Sequence, residues 1–169
     1  WEMGLFEEDW SSKWIGQGDN YSGSREAAPM FVCDFNAKLS DVKHARLYIS
    51  GLGIFKPYLN GRQITENLFE PGESDATKTV YYVTYDVSEM LREGDNALGV
   101  VLGNGQYTNF QFNPVMTYPD GTLHPAHRYQ KNDGGFIKPG ISGNKKLIAQ
   151  LEITYKNGER IVAAASDES

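Results

Sequence analysis

The sequence predicts an all-β fold, an antiparallel two-sheet β-sandwich of jelly-roll type. Apolar and polar residues alternate with a period of two along every long patterned segment. Two Asn-Gly pairs, Asn60-Gly61 and Asn157-Gly158, stand between such segments, where a hairpin turn needs residues tolerant of positive φ. One short stretch alone, DVSEMLREG (86–94), carries a helical signature.

The alternating segments are residues 30–36, 45–50, 55–59, 62–64, 79–86, 97–102, 147–155 and 160–165. In ARLYISGLGIFKPYLNGRQI (45–64), Ala45, Leu47 and Ile49 share one face, and Arg46, Tyr48 and Ser50 the other. The first set is expected in the core and the second on a solvated face. In LIAQLEITY (147–155), Leu147, Ala149, Leu151, Ile153 and Tyr155 face one way before Asn157-Gly158 turns the chain into RIVAAA. Leu47, Ile49, Val100, Leu102, Leu151 and Ile153 are the expected core. In DVSEMLREG, Asp86 as cap, Glu89 three residues on and Gly94 as stop predict a connector helix of at most about two turns.

A chain of 169 residues with 40% hydrophobic and 12% aromatic content is long enough to bury one core, so residues 1–169 read as a single module. Its lead-in, residues 1–28, holds all three tryptophans, Trp1, Trp10 and Trp14. Residues 113–145 form a long segment rich in Gly, Pro, Asn and Asp with little periodicity, read as a loop insertion that is functional or mobile. The net charge of −6 and the lack of a basic stripe exclude the usual nucleic-acid readers. No apolar run reaches the roughly 20 residues of a membrane helix, so neither nucleic acid nor membrane is an expected partner. Cys33, the sole cysteine, shares a face with Phe31 and Phe35 and reads as a small buried hydrophobe. The chain starts at Trp1 with no Met and no leader, which suggests a piece of a longer protein and leaves its compartment unspecified.

Catalytic signatures are weak. His124 and His127, with Asp120 and Asp133 nearby, match no zinc spacing and read as loop histidines. Glu7, Glu8 and Asp9 form a charge run rather than a carboxylate pair set across a cleft. The glycines of 51–53 and 103–105 extend to no phosphate-binding fingerprint, and Asn20-Tyr21-Ser22 is a bare glycosylation sequon. Binding chemistry is better represented. ENLFEPGESD (66–75) places Glu66, Asn67, Glu70, Glu73 and Asp75 in one loop, a density of oxygen ligands suited to calcium. GNGQYTNFQF (103–112) adds Asn104, Gln106 and Tyr107, amides and an aromatic ring of the kind that hold a sugar.

Taken in order, DWSSKWIG (9–16), ARLYISGLGIFKPYLNG (45–61), EPG (70–72), VYYVTYDVSEMLREGDNALGVVLGNGQY (80–107) and KLIAQLEITYKNGERIVAAASDES (146–169) resemble the N-terminal β-sandwich module of bacterial α-L-rhamnosidases, glycoside hydrolase family 78. The resemblance covers nearly the whole chain. It implies a galactose-binding-like sandwich, non-catalytic, excised from a larger bacterial enzyme, exported or cytoplasmic, whose acid and base lie on a separate α/α barrel. The partners implied are that barrel, neighbouring domains of the same chain and L-rhamnose-containing glycans. Some similar modules bind rhamnose with the help of calcium; here Glu66, Asn67 and Asp75 would hold the metal, and Asn67, Asn104, Gln106 and Tyr107 the sugar. Two departures bear on this. Relatives usually read Gly-x-Gly-Trp-Tyr where residues 103–107 read GNGQY, and Pro-Gly-Trp-Thr where 71–74 read PGES. Each replaces a tryptophan, the best stacking surface. The main functions left open are a structural module without a ligand and an autonomous carbohydrate-binding module, with a freestanding hydrolase or a module of an unrelated multidomain enzyme behind them.

Overall fold

The computed structural model describes residues 4–16, 27–72, 74–76, 78–105, 107, 115–117, 123–125 and 144–167, with the side chains of 115–117 and 123–125 excepted. Strands are β1 (Ile15–Gly16), β2 (Met30–Ala37), β3 (Val42–Leu52), β4 (Ile54–Leu59), β5 (Arg62–Gln63), β6 (Val83–Asp86), β7 (Gly94–Gly103), β8 (Val115–Thr117), β9 (Leu123–Pro125), β10 (Lys146–Tyr155) and β11 (Arg160–Ala165). A five-stranded sheet runs β1-β10-β3-β6 with β11 also on β10, and a four-stranded sheet runs β2-β7-β4-β5. All their pairings are antiparallel. From β2 to β4 and again from β5 to β10 the chain crosses between these sheets, the jelly-roll habit expected above. β8 and β9 pair with each other within the 113–145 segment, most of which lies outside the described residues.

Period-two alternation builds the core as predicted. Leu47, Ile49, Leu102, Leu151 and Ile153 are fully buried and Val100 nearly so, packed with Phe55, Leu59 and Val87. Full burial of such a side chain is worth about 1.5–3 kcal/mol. Cys33 is half-buried against that cluster rather than inside it. At Asn60-Gly61 both residues take positive φ, 55° and 77°, and Leu59 pairs Arg62 across a two-residue turn. The Asn157-Gly158 hairpin is built otherwise. Gly158 N–H donates to Tyr155 O at 3.0 Å and only the glycine has positive φ, so the turn spans four residues between β10 and β11.

The expected connector helix is a single 3-10 turn, Ser88–Met90. The buried amide of Asn96 explains its brevity. Its Oδ1 accepts Arg92 N–H at 2.9 Å and its Nδ2 donates to Arg92 O and Gly94 O, which wraps residues 92–94 around it and starts β7 at Gly94. Asp86 does serve the turn, accepting Ser88 N–H at 3.0 Å and Ser88 Oγ at 2.6 Å. Burial alone would raise its carboxyl, but the Ser88 bonds and the Arg46 guanidinium at 2.8 Å hold it below the usual 3.8. A folded value below the unfolded one gives stability that is present above pH about 4 and lost as the pH falls through the folded value. Asp86→Asn is therefore expected to flatten the acid limb of the stability curve, read by urea unfolding across a pH series; an unchanged limb would refute this.

The second face of β3 departs most from expectation. Tyr48 and Ser50 are buried, as are their β10 neighbours Ile148, Gln150 and Glu152. Residues 4–14 lie across this face as a strap that ends in β1. Trp10 meets Tyr82 edge-on at 5.6 Å and Tyr48 at 6.5 Å. Gln150 Oε1 accepts Ser11 N–H at 2.8 Å and Ser12 N–H at 3.2 Å, and its Nε2 donates to Asp9 O at 3.0 Å and Glu152 Oε1 at 2.8 Å. Ser166 fastens the far end, its Oγ donating to Lys13 O while Lys13 N–H donates to Ser166 O, both at 2.7 Å. The face expected to be wet is a second, largely polar interior.

Candidate functional site

The described members of the predicted site, Glu66, Asn67, Asp75, Asn104 and Tyr107, fall on two loops that meet β4 at one end of the sandwich. The first follows β5. Phe55 N–H donates to Glu70 O at 3.1 Å, so this loop continues the sheet along the β5 edge of β4. The second follows β7. Ile54 pairs Gly103, and Gly105 packs so closely on Gly53 that an added Cβ would lie 3.1 Å from its Cα. The loops thus flank opposite edges of β4, two strand spacings or about 10 Å apart. Asn104 and Tyr107 are half-buried on the second loop; Gln106 lies outside the described residues.

The carboxylates of the first loop are engaged with their own chain. Glu70 accepts Asn67 Nδ2 at 2.9 Å through Oε1 and the Tyr85 hydroxyl through Oε2. Tyr85 stands opposite Leu47 on the inner face of the five-stranded sheet. The Glu70–Tyr85 bond therefore laces one sheet to the edge of the other. Burial, then the bond to Glu70 and its charge, push the Tyr85 phenol well above its usual 10.0. Asn67 N–H donates to Thr65 Oγ1 at 3.1 Å. Asp75 pairs with Lys78 at 3.4 Å and accepts the backbone N–H groups of Lys78 and Thr79 on its carbonyl. Glu66 and Asn67 are exposed, and Glu73 lies outside the described residues. Among the described residues no three His, Cys, Asp or Glu side chains converge as a metal cage. A calcium ion at Glu66, Asn67 and Asp75 would have to draw Asp75 from Lys78.

Two exposed apolar residues, Leu68 and Phe69, ride beside these carboxylates. The alternative His124 and His127 grouping lies outside the described side chains. At the opposite end, a shallow hollow of about 520 Å³ is lined by residues including Lys38, Asp41, Tyr155 and Asn157. Its polar groups largely satisfy one another: Lys156 pairs with Asp41 at 3.7 Å, and Asn157 Oδ1 accepts Glu159 N–H at 2.9 Å. It holds none of the predicted site residues.

A family profile described as the Alpha-L-rhamnosidase N-terminal domain matches residues 40–169. The chain belongs to that family. An alpha-L-rhamnosidase of Alteromonas sp. (strain LOR) is 39% identical across 98% of this chain and 16% of its own length. The solved alpha-L-rhamnosidase of Dictyoglumus thermophilum superposes with a TM-score of 0.68 at 31% identity, over 96% of this chain and 16% of that one. The Streptomyces avermitilis alpha-L-rhamnosidase, solved in complex with L-rhamnose, gives a TM-score of 0.58 at 33% identity, over 82% of this chain and 12% of that one. The N-terminal domain thus spans about a sixth of the first relatives' length.

Sequence reasoning overlooked the strap and the Glu70–Tyr85 lace. The strap did leave a signal: Gln150 and Glu152 interrupt an apolar strand, and the lead-in carries every tryptophan. The lace left none, because Glu70 in the loop beside β4 and Tyr85 on β6 of the other sheet meet only across the sandwich.

Proposed function

We propose that this chain is a non-catalytic accessory module of an α-L-rhamnosidase, a glycoside hydrolase that removes terminal L-rhamnose, and that its role is structural support of the parent enzyme. The observation that carries the reading is membership of the N-terminal domain family in relatives about six times longer. Glycoside hydrolysis needs an acid and a second carboxylate placed about 5–10 Å apart across a cleft. Such a pair is expected on another domain of the parent. The commitment of Glu70 to Asn67 and Tyr85, and of Asp75 to Lys78, favours support over ligand capture.

The second reading, a calcium-assisted rhamnose-binding module, draws on exposed Glu66 and Asn67 and on Asn104 and Tyr107 at the same end of the sandwich. A shallow site of that kind with tyrosine in place of tryptophan would bind at about 1 mM, near 4 kcal/mol. The test has two arms. The parent chain is expected to hydrolyse an aryl α-L-rhamnoside and the 169-residue module to leave it intact; turnover by the module would overturn the non-catalytic assignment. L-Rhamnose titrated into the module to about ten times that constant, with and without calcium, is expected to cause no saturable change. Saturation abolished by Asn67→Ala would replace the structural reading with the binding one.

A further inference from the structure

The two outer faces of the sandwich are unlike. The five-stranded sheet is roofed by the N-terminal strap, whereas the four-stranded sheet exposes Met30 and Val32 beside half-buried Val101, Gly99 and Tyr58, with the Lys56 side chain at the margin. Met30, Val101 and Lys56 form one cross-strand row, and Val32, Gly99 and Tyr58 the next. Met30 is 73% and Val32 67% exposed. A Cβ on Gly99 would meet nothing within 4 Å, so the second row dips between Val32 and Tyr58.

β7 reads ALGVVLG over residues 97–103, apolar on both faces, as a strand covered on both sides does. An antiparallel strand with a solvated face places polar residues there, and β2 does so further along at Asp34 and Asn36. The apolar residues are therefore gathered at one end of the sheet. Single exposed apolar side chains are ordinary; here two of them adjoin half-buried Val101 and Tyr58 along a strand that is apolar on both faces.

We propose that this patch, centred on Gly99 and flanked by Val32 and Tyr58, seats another domain of the same polypeptide. The inference rests on the accessory-module reading and adds the face through which the module acts. Two observations choose the occupant. This chain matches 16% of the length of its Alteromonas relative, so in a parent of that size most of the surface lies beyond these residues. The two rows across three strands cover about 200 Å², against the roughly 800 Å² per partner of a stable free complex. A second copy would find too little area here. A domain on the same chain arrives at high effective concentration and needs less.

The test places a photo-crosslinking benzoylphenylalanine at Val32 of the full-length parent, with the same probe at Lys156, at the opposite end, as control. After irradiation the single-chain species is isolated and its crosslinked peptides are mapped. The expected result is an intrachain crosslink from position 32 to a peptide outside these 169 residues, absent from position 156. A crosslinked dimer, a crosslink confined to this module, no adduct, or the same outside peptide reached from position 156 would each overturn the proposal. Should the probe impair folding, Met30→Cys and Lys156→Cys serve in its place. Maleimide is then expected to label position 30 of the parent about tenfold more slowly than position 156, as a covered group waits on local opening; equal rates would overturn the proposal. Hydrolysis of an aryl α-L-rhamnoside by the same preparation is read separately. Its absence sinks the enzymatic reading of the parent and leaves the crosslinking outcome legible.

Discussion

Replacing Gln150 by leucine is expected to release the N-terminal strap and lower the stability of the module by about 3 kcal/mol. Gln150 is fully buried, and its amide answers the N–H groups of Ser11 and Ser12, the Asp9 carbonyl and the Glu152 carboxylate. Leucine fills a similar volume but offers none of these groups a partner. Each buried polar group left alone costs about 1–3 kcal/mol, more where it is charged. The strap can escape part of that cost by peeling away to water, but it then surrenders the packing of Trp10 on Tyr48 and Tyr82. Glu152 would keep Arg160 at 3.4 Å and lose its buried donor. Urea unfolding measures the loss, and limited proteolysis locates it by new cleavage within residues 4–14. A change below about 0.5 kcal/mol with an uncut lead-in would show that the aromatic contacts hold the strap unaided.

Gly53→Ala is expected to cost a comparable amount, about 3 kcal/mol, through the backbone. Gly53 has φ +151°, and a Cβ there would meet Gly103 O at 2.6 Å. That oxygen belongs to the strand paired with β4, so moving it disturbs the Ile54–Gly103 register. Gly61 is the internal comparison. Its φ is +77°, yet a Cβ there meets nothing within 4 Å, so Gly61→Ala is expected to cost only about 1 kcal/mol. Unfolding the two variants side by side separates collision from dihedral strain. Equal losses would mean that β4 and β7 yield to the added methyl at position 53.

The same segment shows how far local sequence reaches. The Asn60-Gly61 turn was legible because its geometry depends on two adjacent residues. Leu47, Ile49, Leu151 and Ile153 were legible because strand periodicity assigns one face without reference to the other sheet. The connector after Asp86 reads as a short helix until the Asn96 amide, buried at the head of β7, claims the backbone of residues 92–94. Asn67, Asn104 and Tyr107 could be assigned to two loops from their segments alone, and those loops flank opposite edges of β4. Their intervening distance depends on β4 lying between the two loops, which only strand order decides.

Alternation, turn chemistry and the ordered motifs by themselves determined an antiparallel sandwich, its inner face and its family. Each of these is a property of neighbouring residues or of their order along the chain. Tertiary structure decided what covers the outer face of the five-stranded sheet. Tyr48, Ser50, Gln150 and Glu152 carry the polar pattern of a wet surface, and they become interior because residues 4–14, some 140 positions from Gln150, fold back over them. Tertiary structure likewise turned the Glu70 carboxylate toward Tyr85. A polar side chain can be satisfied by water, by a ligand or by a distant strand of its own protein. Its identity in sequence is the same in all three cases, and the choice among them is made by long-range packing.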